Sequence, residues 1–238
     1  MGNPFIANLS HYVKLTGGES AALDILLGKR VPFGPGDELV TPGRAGRHCH
    51  VLLQGQAFRH RNLADGRRQI LLFQAPGDVL DLQGLFLGLD HEVTALSRGE
   101  MAIVPHEAMD ALLDVNGNIA RGLWRLSLVE AAIFREWMVG MGRRSAHARI
   151  AHLLCEVFVR LRVTGIAQGD RCPFPVTQTH LSDALGLSVV HTNRVLQTLR
   201  ADGVADVRQG QLVVRDWQRL KLAGEFDPAY LHLAAAAA

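Results

Sequence analysis

The sequence predicts an α+β chain in three successive parts: an N-terminal jelly-roll β-barrel, one long helix, and a C-terminal winged helix-turn-helix. Three observations carry this. Between Val31 and Val104, short apolar runs alternate with turn signals at spacings near ten residues, the pattern of an antiparallel barrel or sandwich. From about Asn116 to Met141 the pattern becomes helical. Thr177 to Arg200, TQTHLSDALGLSVVHTNRVLQTLR, then reads as two short helices joined by a glycine turn.

Residues 1 to about 30 form a helical lead-in. The barrel runs are VLLQG, QAFRHRN, RRQILLF, EVTALS and MAIVP. Gly34-Pro35-Gly36-Asp37, Pro42-Gly43, Gly55, Asp65-Gly66 and Pro76-Gly77-Asp78 separate them. Asp65-Gly66 is a strong hairpin signal, because its turn needs backbone in the left-handed region. In the helical part, Ile119, Leu123, Leu126, Ile133 and Trp137 form a stripe interrupted by Glu130. About 25 residues at 1.5 Å each give roughly 38 Å. The stripe is expected to be the seam of a homodimer. Gly142 to Ala146 should break the helix.

In the C-terminal part Thr177 is an N-cap, and Leu181, Ala184 and Leu185 give one apolar stripe. Gly186 breaks that helix, and Ser188 caps the next, which buries Val195, Leu196 and Leu199. The first helix then opens on Thr177 and Gln178. The second presents Val189, Val190, His191, Asn193, Arg194 and Gln197, side chains suited to base edges or phosphates. VADVR and QLVVRD, joined through Gln209-Gly210, make a hairpin wing, with Arg208 and Arg215 able to meet a phosphate backbone. The domains expected are 1–115, barrel; 116–142, dimer helix; 143–146, hinge; and 147–238, winged helix. Ala234 to Ala238 should carry no fold information.

Composition agrees with a globular chain: 48% hydrophobic and 20% charged in 238 residues. Neither a membrane span nor a signal-peptide core is read, so a cytoplasmic protein is expected. Net charge is +2. From Arg143 onward twelve Lys and Arg face eight Asp and Glu, against 13 and 15 before it. The positive part is the one with the helix-turn-helix, as a phosphate-bearing partner requires. Cys49, Cys155 and Cys172 are too scattered for a disulfide framework.

With these features in place, the chain resembles the Crp/Fnr family of bacterial transcription regulators over nearly its whole length. The residues carrying the resemblance in the barrel are Pro35-Gly36-Asp37, Leu52 to Gly55, Pro76-Gly77-Asp78 and Gly84-Leu85-Phe86. Arg149 to Leu154 is similar to the start of the family's DNA domain. Leu181, Gly186-Leu187-Ser188 and Asn193-Arg194 match its helix-turn-helix. The resemblance implies a cyclic-nucleotide-binding-type barrel and a homodimer that regulates transcription on a palindromic DNA site.

Two departures qualify it. Members that bind cyclic AMP use a Glu for the ribose and an Arg for the cyclic phosphate. Here Leu82, followed by Gln83, stands at the Glu position, and Glu92 stands near the Arg position. Phe134 and Arg135 correspond to the long-helix ligand contacts. The effector implied is therefore not cyclic AMP. The N-terminal cysteine cluster of the iron–sulfur members is missing too, while haem ligation stays open with no residue singled out. In the second helix Val190 replaces a Glu found in members that read G and C, so the half-site should differ, with Arg194 reading guanine.

Some chemistry lies outside the resemblance. His48 and His50 share a strand face with Gln54 nearby, an incomplete version of a cupin metal set. A metal-dependent enzyme is thus the alternative function, and a module that only docks on proteins is a second. GxSxG, P-loop, GxGxxG and HExxH patterns do not occur, so an enzyme is not expected. Arg59, His60, Arg61, Arg67 and Arg68 are expected on a solvated face. RNA polymerase contact there is the minority reading.

Overall fold

The computed structural model describes residues 2–43 and 46–233; the C-terminal alanine run lies outside them. The chain forms two compact units, residues 1–61 with 72–128 and residues 62–71 with 129–238.

The first unit opens with α1 (Pro4–Ser10) and α2 (Gly17–Leu26). A capping box between Thr16 and Glu19 starts α2. Seven strands follow: β1 (Arg30–Phe33), β2 (Glu38–Val40), β3 (His48–Gln54), β4 (Ala57–Asn62), β5 (Arg68–Gln74), β6 (Glu92–Ala95) and β7 (Gly99–Pro105), of which the start of β5 up to Leu71 counts with the second unit. They order as β1-β7-β3 and β2-β6-β4-β5, and β7 pairs antiparallel with β1 and β3, as β6 does with β2 and β4. Alternation along β3 makes two cores. Cys49, Val51 and Leu53 face a helical cluster with Phe5, Leu9, Leu23, Leu27 and Met109. Leu52 joins the barrel interior with Phe33, Leu39, Ala57, Leu80, Val93 and Met101.

Gly99 sits where β7 begins. A Cβ there would overlap the Gln54 carbonyl and the Phe33 ring. Gly99→Ala is expected to cost about 1–3 kcal/mol by overpacking. A thermal melt lowered by several degrees, with the wild-type circular dichroism spectrum retained, is the result to look for.

Sequence reasoning missed α3 (His106–Val115). Its signal was short: Met109, Leu112 and Leu113 at i, i+3, i+4. Next comes α4 (Gly117–Arg143), and the break falls at Arg144-Ser145, so Gly142 and Arg143 remain helical. The boundary between the compact units lies inside this helix, between Leu128 and Val129, not at its ends. The cause is packing. Gly122 lets α1 approach until Leu9 Cδ1 lies 2.6 Å from where a Cβ would stand, while Trp137 hydrogen-bonds Glu156 in the second unit.

The expected dimer seam is corrected on the same ground. Ile119 and Leu123 are buried in the helical cluster with Leu126 half-buried against it, and Ile133 and Trp137 are buried within the chain as well. The outward apolar residues include Trp124 (69% exposed), Leu128 (56%) and Met138 (69%), with Val139 and Met141 exposed near the helix end. With Ala131 and Arg135 between them, the first three repeat at 4-3-4-3 spacing. The helix thus has two apolar stripes, and the more continuous one in sequence is the one its own chain covers.

The second unit continues with α5 (Ala146–Val163), β8 (Arg171–Pro173), α6 (Gln178–Leu185), α7 (Val189–Ala201), β9 (Ala205–Arg208), β10 (Gln211–Val214) and α8 (Trp217–Ala223). β8 adds to the wing as a third strand, in the order β8-β10-β9.

Candidate nucleic-acid interface

Helices α6 and α7 are held as a unit by local chemistry. The Thr177 side chain caps α6, accepting from the His180 N–H at 3.2 Å. Gly186 closes it in the left-handed region, φ 62°, which only glycine enters freely. Ser188 caps α7, accepting from the His191 N–H at 3.2 Å. Leu181, Ala184, Leu185, Val195 and Leu199 are buried, and Leu196 is half-buried. Between the helices lie two hydroxyls that sequence reasoning missed: Ser182 and the fully buried Thr192, 3.4 Å apart.

Of the side chains expected to face outward, Val189, Val190, His191, Arg194 and Gln197 are exposed. Asn193 is half-buried, and its Nδ2 donates to Gln178 Oε1 at 2.9 Å. That pair ties the start of α6 to α7. On the wing, Gln209 and Gly210 both have positive φ, 50° and 73°, as a two-residue hairpin turn requires. Arg208 is exposed with Asp206 3.5 Å away, and Arg215 is exposed too. This surface offers a groove-sized helix face with one free guanidinium-bearing arm, a hydrogen-bonding His and Gln, and two apolar residues.

His180 completes the α6 capping box: its Nδ1 accepts from the Thr177 N–H at 3.3 Å. Burial, together with the nearby Arg68 charge, lowers its pKa, against an opposing effect of Asp183. A protonated ring cannot accept that bond. Because the folded pKa lies below the unfolded 6.5, the stabilisation is complete above pH 6.5 and is lost as pH falls below it. The melting temperature is therefore expected to drop between pH 7.5 and 5.5. His180→Gln keeps an N3 acceptor without titrating and should show a smaller drop; equal drops would place the titration elsewhere.

The basic run of the β4–β5 hairpin is not uniformly solvated. Arg59 and His60 are buried. Arg59, paired across the strands with core residue Val93, points to the barrel interior and donates from Nη2 to the Leu80 carbonyl at 3.0 Å. His60 meets Glu92 at 3.2 Å and Thr94 at 2.9 Å. In the second unit, Arg68 donates from Nε and Nη2 to Asp183 on α6, at 3.0 and 2.8 Å. Arg61 and Arg67 are exposed.

These placements revise the expected effector residues. Glu92 alternates with the core residues Val93 and Ala95, so it lies on the other strand face and not toward the barrel interior. Leu82 packs partly on the helical cluster. Gln83 donates to the Gly88 carbonyl at 2.7 Å. Phe134 is half-buried and Arg135 exposed, both on the second-unit half of α4. His48 and His50 do share a strand face, but the group beside His50 is Asp81, 2.6 Å from Nδ1, and not Gln54. Among the described residues, no three His, Cys, Asp or Glu come together as a metal set. All three cysteines are buried; burial pushes Cys49 and Cys172 up to about 12 and raises Cys155 as well. No helix among the described residues is long and apolar enough to cross a membrane.

Comparison with known proteins falls on the same two regions. Residues 30–116 match the model of the cyclic nucleotide-binding domain, and residues 148–223 match that of the Crp-like helix-turn-helix domain. The nitrogen fixation regulation protein FixK of Bradyrhizobium diazoefficiens is 27% identical over 197 residues, 82% of this chain and 81% of that protein. The transcriptional activator FnrL of Cereibacter sphaeroides is 25% identical, over 71% of this chain and 69% of its own.

The chain belongs to the Crp/Fnr family.

This Crp/Fnr regulator is also similar in structure to FixK2 from Bradyrhizobium japonicum, with a TM-score of 0.72, 25% identity, and coverage of 88% of this chain and 98% of that one. The family's two-part order of nucleotide-binding-type barrel and DNA-binding helix-turn-helix is thus present here, and it makes the α6–α7 surface the DNA-binding motif of a transcription regulator. The fold inferred from turn and capping residues is the one found.

Proposed function

We propose that this regulator acts as a homodimer on a two-fold symmetric DNA site, in the cytoplasm and without a catalytic step of its own. The observation that carries the reading is the exposed face of α7: Val190, His191, Arg194 and Gln197 stand clear of the protein while caps and the Ser182–Thr192 contact hold the helix rigid. Thr177, Gln178, Ser188, Val189 and Asn193 position that face, and Arg208 follows the phosphate backbone. The outward stripe of Trp124, Leu128 and Met138 supports pairing with a second copy, since a two-fold protein matches a palindromic site. RNA polymerase is a further partner of the regulator once on DNA.

Fluorescence anisotropy with palindromic and scrambled duplexes tests this. Tight binding to one palindrome that weakens linearly with log salt is expected. Equal affinity for all duplexes would overturn sequence-specific regulation.

The effector is not cyclic AMP. Leu82 offers no ribose acceptor, Glu92 is paired to His60 on the strand face away from the barrel interior, and Arg59 is drawn by Nη2 to the Leu80 carbonyl. Without a charge-assisted phosphate contact, affinity should be about millimolar or weaker, near −4 kcal/mol. Calorimetric titration with cyclic AMP is the check; micromolar binding coupled to tighter DNA affinity would refute it.

A further inference from the structure

Glu156 is a fully buried carboxyl in the middle of α5. Trp137 Nε1, from α4, donates to it at 3.1 Å from Oε2 and 3.3 Å from Oε1. The Tyr230 hydroxyl, from the C-terminal segment, lies 2.7 Å from Oε2. The same hydroxyl lies 3.2 Å from His152 Nε2, one turn earlier on α5. His152 Nδ1 is 2.9 Å from the Gly224 carbonyl. Three separate stretches of the second unit therefore meet at one polar chain inside an aromatic cluster. Phe226 and Tyr230 pack on His152 with ring centroids 5.1 and 5.8 Å away. At Gly224 a Cβ would stand 2.6 Å from the His152 backbone nitrogen, so the segment lies directly on α5.

Counting protons narrows the state of this chain to two. A carbonyl only accepts, so His152 Nδ1 carries a hydrogen given to Gly224. A hydroxyl has one proton to give, yet Tyr230 touches two groups. Both contacts are hydrogen bonds only when one further proton is present, on Glu156 or on His152 Nε2. Burial raises the Glu156 pKa, against Arg160 at 4.0 Å and the hydrogen bonds from Tyr230 and Trp137, and burial lowers that of His152, against its bond to Gly224 and the nearby Glu136. Both directions favour the proton on Glu156 over His152 Nε2. In that arrangement the carboxyl donates to Tyr230, and Tyr230 donates to His152. The other charged groups facing the chain are Glu136, 3.9 Å from His152 Nε2 and paired with Arg144, and Glu225, 3.7 Å from Arg144.

We infer that Tyr230, bridging Glu156 and His152, makes the C-terminal segment a clamp that fixes α5, and with it the helix-turn-helix, against the end of α4. The inference rests on the DNA-binding reading for its consequence, because α7 must be presented at a fixed angle to enter a groove. Its geometry stands without that reading.

The test compares Tyr230→Phe with Glu156→Gln. Phenylalanine keeps the ring and removes the bridge. Glutamine can donate from its amide to Tyr230 and accept from Trp137, which imitates the protonated carboxyl and not the ionised one. Spin labels at Arg143→Cys and Thr198→Cys, with labelled protein diluted in unlabelled protein, report the α4-to-α7 distance within one chain. The expected result is a narrow distribution for wild type and Glu156→Gln, and one at least twice as broad for Tyr230→Phe. DNA affinity should fall about tenfold for Tyr230→Phe and stay within about threefold for Glu156→Gln. A Tyr230→Phe protein that melts earlier but keeps the wild-type distribution would make the segment a stabiliser only and overturn the clamp. Glu156→Gln as broad as Tyr230→Phe would overturn the proton assignment. Wild-type protein that ignores DNA would refute the DNA reading alone, and the distance measurement would still decide the clamp.

Discussion

Arg194→Ala removes discrimination between cognate and scrambled DNA while leaving the fold and the oligomeric state unchanged. Arg194 is exposed on α7, and its guanidinium has no hydrogen-bond acceptor among the described residues. Truncating it therefore costs the protein nothing in packing. One bidentate Arg–guanine contact supplies roughly 1–3 kcal/mol of discrimination, about one to two powers of ten in affinity ratio. Anisotropy titrations on the two duplexes measure that ratio directly. An unchanged ratio with uniformly weaker binding would make Arg194 a phosphate contact.

Leu128→Glu and Met138→Glu, singly, should give monomers with little DNA binding. Both side chains are more than half exposed in the isolated chain, so the substitutions are harmless to the monomer fold. In a two-fold interface each places two carboxylates in an apolar seam, and a buried unpaired charge costs several kcal/mol. Light scattering gives the mass. Ile133→Glu is the contrasting variant: Ile133 is 3% exposed within its own chain, so it should unfold the protein instead of merely separating two copies. Wild-type mass for both exposed-stripe variants would remove α4 as the seam.

That contrast shows where sequence reading reaches its end. Periodicity reports that α4 has apolar faces, but not which one the same chain covers, because Leu9 and Val13 meet Gly122 from more than a hundred residues away in sequence. Local signals did better. Thr177, Gly186 and Ser188 mark both helices of the DNA motif through backbone chemistry within a few residues, and the turn glycines at 55, 66 and 77 delimit the strands. Side-chain partners set by the fold stayed hidden. Asn193 reads as an outward contact, yet Gln178 engages it. Arg59 and His60 read as a solvated charge run, yet Leu80, Glu92 and Thr94 supply their partners across the barrel. Asp81 beside His50, and Tyr230 beside Glu156, are likewise joined only by the fold.

The burial of the three thiols gives the molecule a built-in clock. A thiol with its pKa pushed to about 12 is almost wholly unreactive at neutral pH, since only the thiolate attacks. Modification must wait until the surrounding structure opens. Its rate then measures opening, not the amount of reagent, once reagent is in excess. Cys49 lies in the first unit and Cys155 and Cys172 in the second. The natural cysteines thus time the breathing of each unit separately, with no cysteine introduced.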